Sequence, residues 1–96
     1  MEDTERRVVE IARKSVRERV AEALLILRET FGYEADGKTL NMTLTREEIA
    51  DIVGTAPESV IRMLTDLKNE ELIETEGRRI RVKNLRGLVA AANLVD

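Results

Sequence analysis

The stretch "TREEIADIVGTAPESVIRMLTDLK", residues 45–68, reads as two short helices on either side of one glycine. Thr45 followed by Glu48 has the spacing of a capping box, in which each residue's side chain bonds the other's backbone N–H at the start of a helix. Gly54 is expected to end that helix, because glycine adopts the left-handed conformation at little steric cost. The pattern therefore predicts a helix followed by a tight turn.

The second half of the stretch repeats the signal for the start of a helix. Thr55 and Glu58 have the capping-box spacing again. Pro57 falls in the first turn, where a missing N–H costs nothing. We therefore expect a second helix over residues 56–68.

Apolar side chains recur along one side of both helices. They are Ile49, Ile52 and Val53 on the first helix, with Ala50 at the crossing point, and Val60, Met63, Leu64 and Leu67 on the second. This spacing is typical of a helix-turn-helix, because two helices cross closely only where small and apolar residues meet. The alternative is a pair of amphipathic helices with a purely structural role.

A basic hairpin follows the helix pair. The segment "LIETEGRRIRV" reads as two strands around Gly77, with apolar residues on one face and arginines on the other. Residues 76–83 hold four basic residues against one acid, although the whole chain has a net charge of −3. A wing over residues 73–83 predicts a winged helix-turn-helix. The alternative is a charged edge strand that discourages aggregation.

Three further elements complete the predicted fold. A long N-terminal helix that ends at Gly32 is indicated by apolar residues three or four apart: Val9, Ala12, Val16, Val20, Ala23, Leu24, Leu27 and Phe31. Residues 39–44, "TLNMTL", alternate with a period of two and predict a short strand. Asn84 can cap a C-terminal helix, "LRGLVAAANL". The fold class is therefore α+β, with one winged helix-turn-helix domain over residues 15–96.

The composition argues against catalysis. The 96 residues contain no His and no Cys, so thiolate chemistry and the usual zinc, haem and general-base groups are missing. The 19 acidic residues form no tight cluster, and we expect neither an enzyme nor a cofactor or metal site. No apolar run reaches the roughly 18 residues of a membrane span. The charged start "MEDTERRVVE" is unlike a signal peptide. We therefore expect a cytoplasmic location.

Residues 44–84 resemble the DNA-binding domain of the Crp/Fnr family of bacterial transcription regulators, and the match extends from about Val16 to Ala92. The most specific parts are "TREEIADIVG", the pattern of Glu58, Ser59, Val60 and Arg62, and "LI…GRRI". In that family a sensor domain and a long dimerisation helix precede the DNA-binding domain. The resemblance implies that residues 1–14 are a remnant of that helix and that the sensor domain is absent.

The resemblance also implies which residues read bases. Glu58 and Arg62 would face base edges in the major groove, with Ser59 beside them to bond a base or a phosphate. Chemistry agrees, because arginine donates two bonds to guanine O6 and N7 and glutamate accepts one from cytosine N4. The alternatives are a salt bridge between Glu58 and Arg62, four residues apart on one helix, and a Ser59 that contacts nothing.

Two residues depart from the family pattern. Pro57 stands where some branches of the family have a base-reading arginine, and Ile61 stands where many members have a small or polar residue. Ile61 would either meet a thymine methyl or add to the core. Both departures bear on the target sequence and not on the mode of binding.

Contacts to DNA phosphates are expected from Thr45 and Arg46 at a helix N-terminus and from Arg78 and Arg79 on the wing. The expected partner is a double-stranded DNA operator. The full-length regulator is expected to bind it as a homodimer, and RNA polymerase is a further candidate partner of that regulator. The isolated domain is expected to be a monomer or a weak dimer. Residues 1–14 would supply only a short remnant of the dimerisation helix, and isolated helical segments below about 12–15 residues are marginal in water. The rival function is a winged helix that contacts proteins and not DNA.

Overall fold

The computed structural model of the protein describes residues 14–93. Within this range, four helices and one hairpin follow one another along the chain. They are α1 Val16–Phe31, α2 Arg46–Val53, α3 Pro57–Asn69, β1 Ile73–Glu76, β2 Arg79–Val82 and α4 Leu85–Ala92. The predicted winged helix-turn-helix is therefore confirmed.

The first helix begins later than its apolar pattern suggests. Ser15 is the N-cap, with an extended backbone, and a capping box joins it to Glu18: the Ser15 hydroxyl accepts from the Glu18 N–H, and the Glu18 carboxylate accepts from the Ser15 N–H. The described helix therefore begins after Ser15, and the part of the expected helix through Val9 and Ala12 lies outside the described residues. Residues 1–13, which include nearly all of the expected linker remnant 1–14, lie outside the described residues.

The turn between α2 and α3 forms as expected, but the start of α3 does not. Gly54 is left-handed, with φ 83° and ψ 41°, and its N–H donates to the Ala50 carbonyl. The N-cap of α3 is Ala56, which provides no side-chain hydrogen bond, so the capping box predicted for Thr55 and Glu58 is wrong. Pro57 occupies the first turn, where the missing N–H leaves no helical bond unmade.

A single hydrophobic core lies where α1 packs against the other three helices. From the helix pair, Ile49, Ala50 and Val60 are almost completely buried. Ile52, predicted to face inward, is instead 53% exposed. It lies about 100° around α2 from Val53, beyond the narrow strip that this short helix buries.

The hairpin has the predicted alternation. Ile80 and Val82 are buried, while Arg79 and Arg81 are exposed. The strands pair in antiparallel register and turn through Gly77, which has φ 60°. A glycine with positive φ at the first of two loop residues is the pattern of a type II′ turn, which matches the twist of the strands.

The short strand expected at residues 39–44 is reduced to two isolated bridges at its start. Thr39 pairs with Arg81, and Leu40 pairs with Tyr33. Leu40 and Met42 are buried as the alternation predicts. After Leu40, however, the chain leaves β2 and meets no partner strand among the described residues along which a ladder could continue.

Candidate nucleic-acid interface

The third helix buries one face and exposes the other. Val60, Leu64 and Leu67 lie in the core. The opposite face, called here the recognition face, consists of Glu58, Ile61, Arg62, Thr65 and Asn69, all of which are exposed. Packing the apolar side onto the body of the domain therefore turns these five side chains outward.

Glu58 and Arg62 lie on this face without pairing to each other. Neither side chain makes an ion pair or a hydrogen bond within the described part of the chain. The salt bridge considered as their alternative role is therefore not formed. Ser59 is only partly exposed and lies at the edge of the recognition face.

The N-terminus of α2 already has a carboxylate bound to it. The Thr45 hydroxyl oxygen accepts from the Glu48 N–H at 3.1 Å, and the Glu48 carboxylate accepts from the Thr45 N–H at 2.8 Å. The hydrogen bonds from Thr45 and the nearby charge of Arg78 hold the pKa of Glu48 below its usual value. A phosphate approaching this helix end would meet that negative charge, and the hydroxyl proton of Thr45 is one of the donors that remain there.

Arg46 connects α2 to the wing. Its Nη2 donates to the Gly77 carbonyl oxygen at 2.9 Å. Burial against the wing lowers the pKa of the Arg46 guanidinium. The side chain expected to contact a phosphate thus also has a partner within the domain.

Most of the basic residues of the wing are matched by acids. The ion pairs are Arg79 with Glu34 at 2.7 Å, Arg81 with Glu74 at 3.2 Å, and Lys83 with Glu71 at 3.4 Å and with Glu74 at 3.8 Å. Arg78, exposed at the turn, makes no ion pair within residues 14–93. The local excess of positive charge seen in the sequence is therefore available chiefly at Arg78.

Two polar residues of the recognition face were not singled out from the sequence. Thr65 and Asn69 follow Arg62 at helical spacing, and that spacing was the available signal. The Thr65 hydroxyl donates to the Ile61 carbonyl at 2.9 Å, so its oxygen remains free to accept.

No three acidic side chains of the described region come together as a metal ion would require. No helix in that region is long and apolar enough to cross a membrane.

Comparison with known proteins identifies this arrangement. The profile of the Crp-like helix-turn-helix domain matches residues 18–91, which include α2, α3 and the hairpin. The chain belongs to this family. The domain described here is therefore a helix-turn-helix domain of the kind found in the transcription regulators named below.

Relatives of known sequence agree. The transcriptional regulator LdrP of Thermus thermophilus is 38% identical over 73 residues, covering 76% of this chain and 37% of LdrP. The global nitrogen regulator of Synechococcus elongatus is 34% identical over 82 residues, covering 84% of this chain and 37% of that protein. The Crp-like domain thus spans well under half the length of either relative.

A solved structure shows the same fold. A transcriptional regulator of the CRP/FNR family from Thermus thermophilus superposes with a TM-score of 0.77 and 31% identity. The match covers 95% of this chain and 47% of that one.

Proposed function

We propose that the domain binds a specific operator in double-stranded DNA, with α3 in the major groove and the wing on the DNA backbone. The observation that supports this best is the recognition face of α3. There Glu58 and Arg62 are exposed, lie four residues apart, and have no partner within the described residues. A helix about 10–12 Å across fits the major groove, which is about 12 Å wide.

The two charged side chains have complementary base partners. Arg62 donates to guanine O6 and N7, and Glu58 accepts from the N4 amino group of a cytosine. Ser59, at the edge of the recognition face, bonds a base or an adjacent phosphate through its hydroxyl. The half-site is therefore expected to contain at least one G·C pair that Arg62 reads.

Backbone contacts come from the side of the domain where the wing turn meets α2. Arg78 is the strongest candidate, because its charge is unmatched within residues 14–93. Arg79 must break its ion pair with Glu34 before it binds a phosphate. Arg46 must bind a phosphate with the part of its guanidinium that does not donate to the Gly77 carbonyl. The Thr45 hydroxyl contributes one further donor at the N-terminus of α2.

Selection of bound sites from random duplex DNA tests the proposal most directly. Arg62→Ala should cost about 1–3 kcal/mol on the selected site and relax the preference at one G·C pair. Arg78→Ala should weaken all duplexes alike and reduce the slope of log affinity against log salt by about one. Equal, sequence-independent losses in both variants would show that Arg62 is not a base reader. If no duplex is selected at all, the role as a protein-contacting module becomes the better explanation.

The whole regulator is proposed to act as a homodimer in the cytoplasm, with residues 1–14 belonging to the dimerisation helix that joins the sensor domain to the DNA-binding domain. A dimer reads two half-sites about one helical turn apart, and the tether raises the overall affinity by roughly 10²–10⁴. Contact with RNA polymerase would be a property of that assembly. Titration of half-site and palindromic duplexes with the 96-residue chain, alone and fused to a parallel coiled coil, tests the tether. Equal preference for the palindrome without the fusion would locate the dimer contact inside this chain.

A further inference from the structure

Ile61 is an exposed apolar side chain among charged neighbours. It lies on the recognition face, three residues after Glu58 and directly before Arg62, and 50% of its surface is exposed. The core below it is already filled by Val60 and Leu64, which are 0% and 4% exposed. Ile61 therefore adds little to the packing of the domain.

The surroundings of Ile61 offer its exposed methyl groups almost no apolar partner. The side chain lines a cleft of about 220 Å³ between α3 and the wing. The other residues of the cleft are Arg46, Leu64, Thr65, Lys68, Asn69 and Thr75. Of these only Leu64 is apolar, and Leu64 is itself buried. Water thus covers the outer half of Ile61 in the free domain.

We infer that Ile61 is a specificity-determining residue that recognises the C5 methyl group of one thymine in each half-site. The thymine belongs to a base pair close to the G·C pair of Arg62, since Ile61 and Arg62 both lie on the recognition face. This inference rests on the proposed major-groove binding of α3. Thymine alone presents a methyl group in the major groove, and apolar side chains read it by contact.

The side chain is suited to this role in two ways. A β-branched residue on a helix has essentially one χ1 rotamer, so the Cγ2 methyl group of Ile61 is held in place before DNA arrives. Burying one methyl group against an apolar surface changes an affinity by about four-fold. Loss of the thymine methyl is therefore expected to weaken binding of one half-site by about that factor.

Deoxyuridine substitution isolates the proposed contact, because deoxyuridine pairs as thymine does and lacks only the methyl group. Each thymine of the selected site is replaced in turn, and duplex affinity is measured by titration. In the parent protein, one thymine per half-site should show the roughly four-fold loss. In Ile61→Ala that loss should disappear, with thymine and deoxyuridine duplexes bound equally well. Ile61→Val, which retains the β-branch, should show a loss of intermediate size.

Ile26 provides a matched control. It is an isoleucine with 52% exposure, but it lies on α1 beside α4, outside the helix-turn-helix. Ile26→Ala should retain the full thymine preference of the parent. A selected site at which no deoxyuridine effect depends on Ile61 would overturn this inference and leave the proposed function intact. Failure to select any preferred duplex would overturn both.

Discussion

The Nη2 atom of Arg46, in the first turn of α2, lies 2.9 Å from the carbonyl oxygen of Gly77 in the wing turn. This hydrogen bond joins two parts of the interface that are 31 residues apart in the chain. Gly77 adopts a positive φ of 60°, which orients the peptide at the turn. Arg46 therefore helps to set where the wing turn lies relative to the helix-turn-helix.

Arg46→Ala should destabilise the domain, because the Gly77 carbonyl loses its charged donor. The expected loss is about 0.5–1.5 kcal/mol in the free energy of unfolding, measured by urea denaturation. Arg78→Ala is the control, since this neighbouring arginine has no ion pair among residues 14–93 and should change stability by less than about 0.5 kcal/mol. Equal stability of the two variants would mean that the Arg46 contact does not hold the wing.

Glu34→Gln should strengthen binding to duplex DNA of any sequence. Glu34 holds the Arg79 guanidinium at 2.7 Å, and removing its charge releases Arg79 toward a phosphate. The slope of log affinity against log salt should become steeper by up to about one. Glu74→Gln is the matched control. It also removes one negative charge, but Glu74 pairs with Arg81 and Lys83 and not with Arg79. Similar gains in both variants would indicate a general charge effect and no release of Arg79.

The loop before α2 should make folding stability depend on pH in the acid range. A hydrogen bond from the Thr39 hydroxyl, together with the Thr39 and Lys38 N–H groups, lowers the pKa of Asp36 from 3.8 to about 2. A carboxylate with a depressed folded-state pKa stabilises the fold above the unfolded pKa. That contribution is lost as pH falls from about 4 through about 2.

The test compares the parent with Asp36→Asn by urea unfolding between pH 2 and pH 5. The difference in unfolding free energy should be largest above about pH 4 and should shrink toward pH 2. Thr39→Val removes the hydroxyl donor while retaining the backbone donors, so its difference from the parent should show the same trend with a smaller size. A difference that stays constant with pH would mean that Asp36 does not contribute through its charge.

Pro57→Arg should add a base reader to the recognition helix. Pro57 is exposed in the first turn of α3, where an arginine side chain can be accommodated. Loss of the proline should lower stability by no more than about 1 kcal/mol. Sites selected with the variant should gain a guanine near the Arg62 contact. Pro57→Ala separates the two effects, as it should lose the same stability and gain no guanine. Unchanged site preference in Pro57→Arg would show that this position does not face the groove.

The short-range features of the fold could be read from the sequence. The Thr45–Glu48 capping box, the turn at Gly54 and the Asn84 cap all form as predicted. Each depends on residues within about four positions of one another, so each can be predicted from a short stretch of sequence. A window of the same length also contains the Ser15–Glu18 capping box, a signal for the start of α1 that the apolar pattern obscured.

The errors in the predicted fold arose where a local pattern depends on distant partners. Residues 39–44 alternate like a strand, but only the first two have neighbours to pair with. Ile52 matches the apolar period of α2 and is exposed, because the width of the buried strip depends on how α2 packs against α1 and α3. A periodic pattern specifies a face of an element, and packing determines how much of that face is covered.

For the candidate site, the types of side chain and the helix face that presents Glu58 and Arg62 could be predicted from residues 45–68 alone. Which basic residues remain available for DNA depends on contacts between distant parts of the chain. Arg79 is matched by Glu34 from the loop after α1, 45 residues away, and Arg46 is bound to Gly77. The net charge of a segment can be counted from the sequence. Ion pairs, however, form between side chains that folding brings within a few ångströms, and a short stretch of sequence does not show which distant residues come that close.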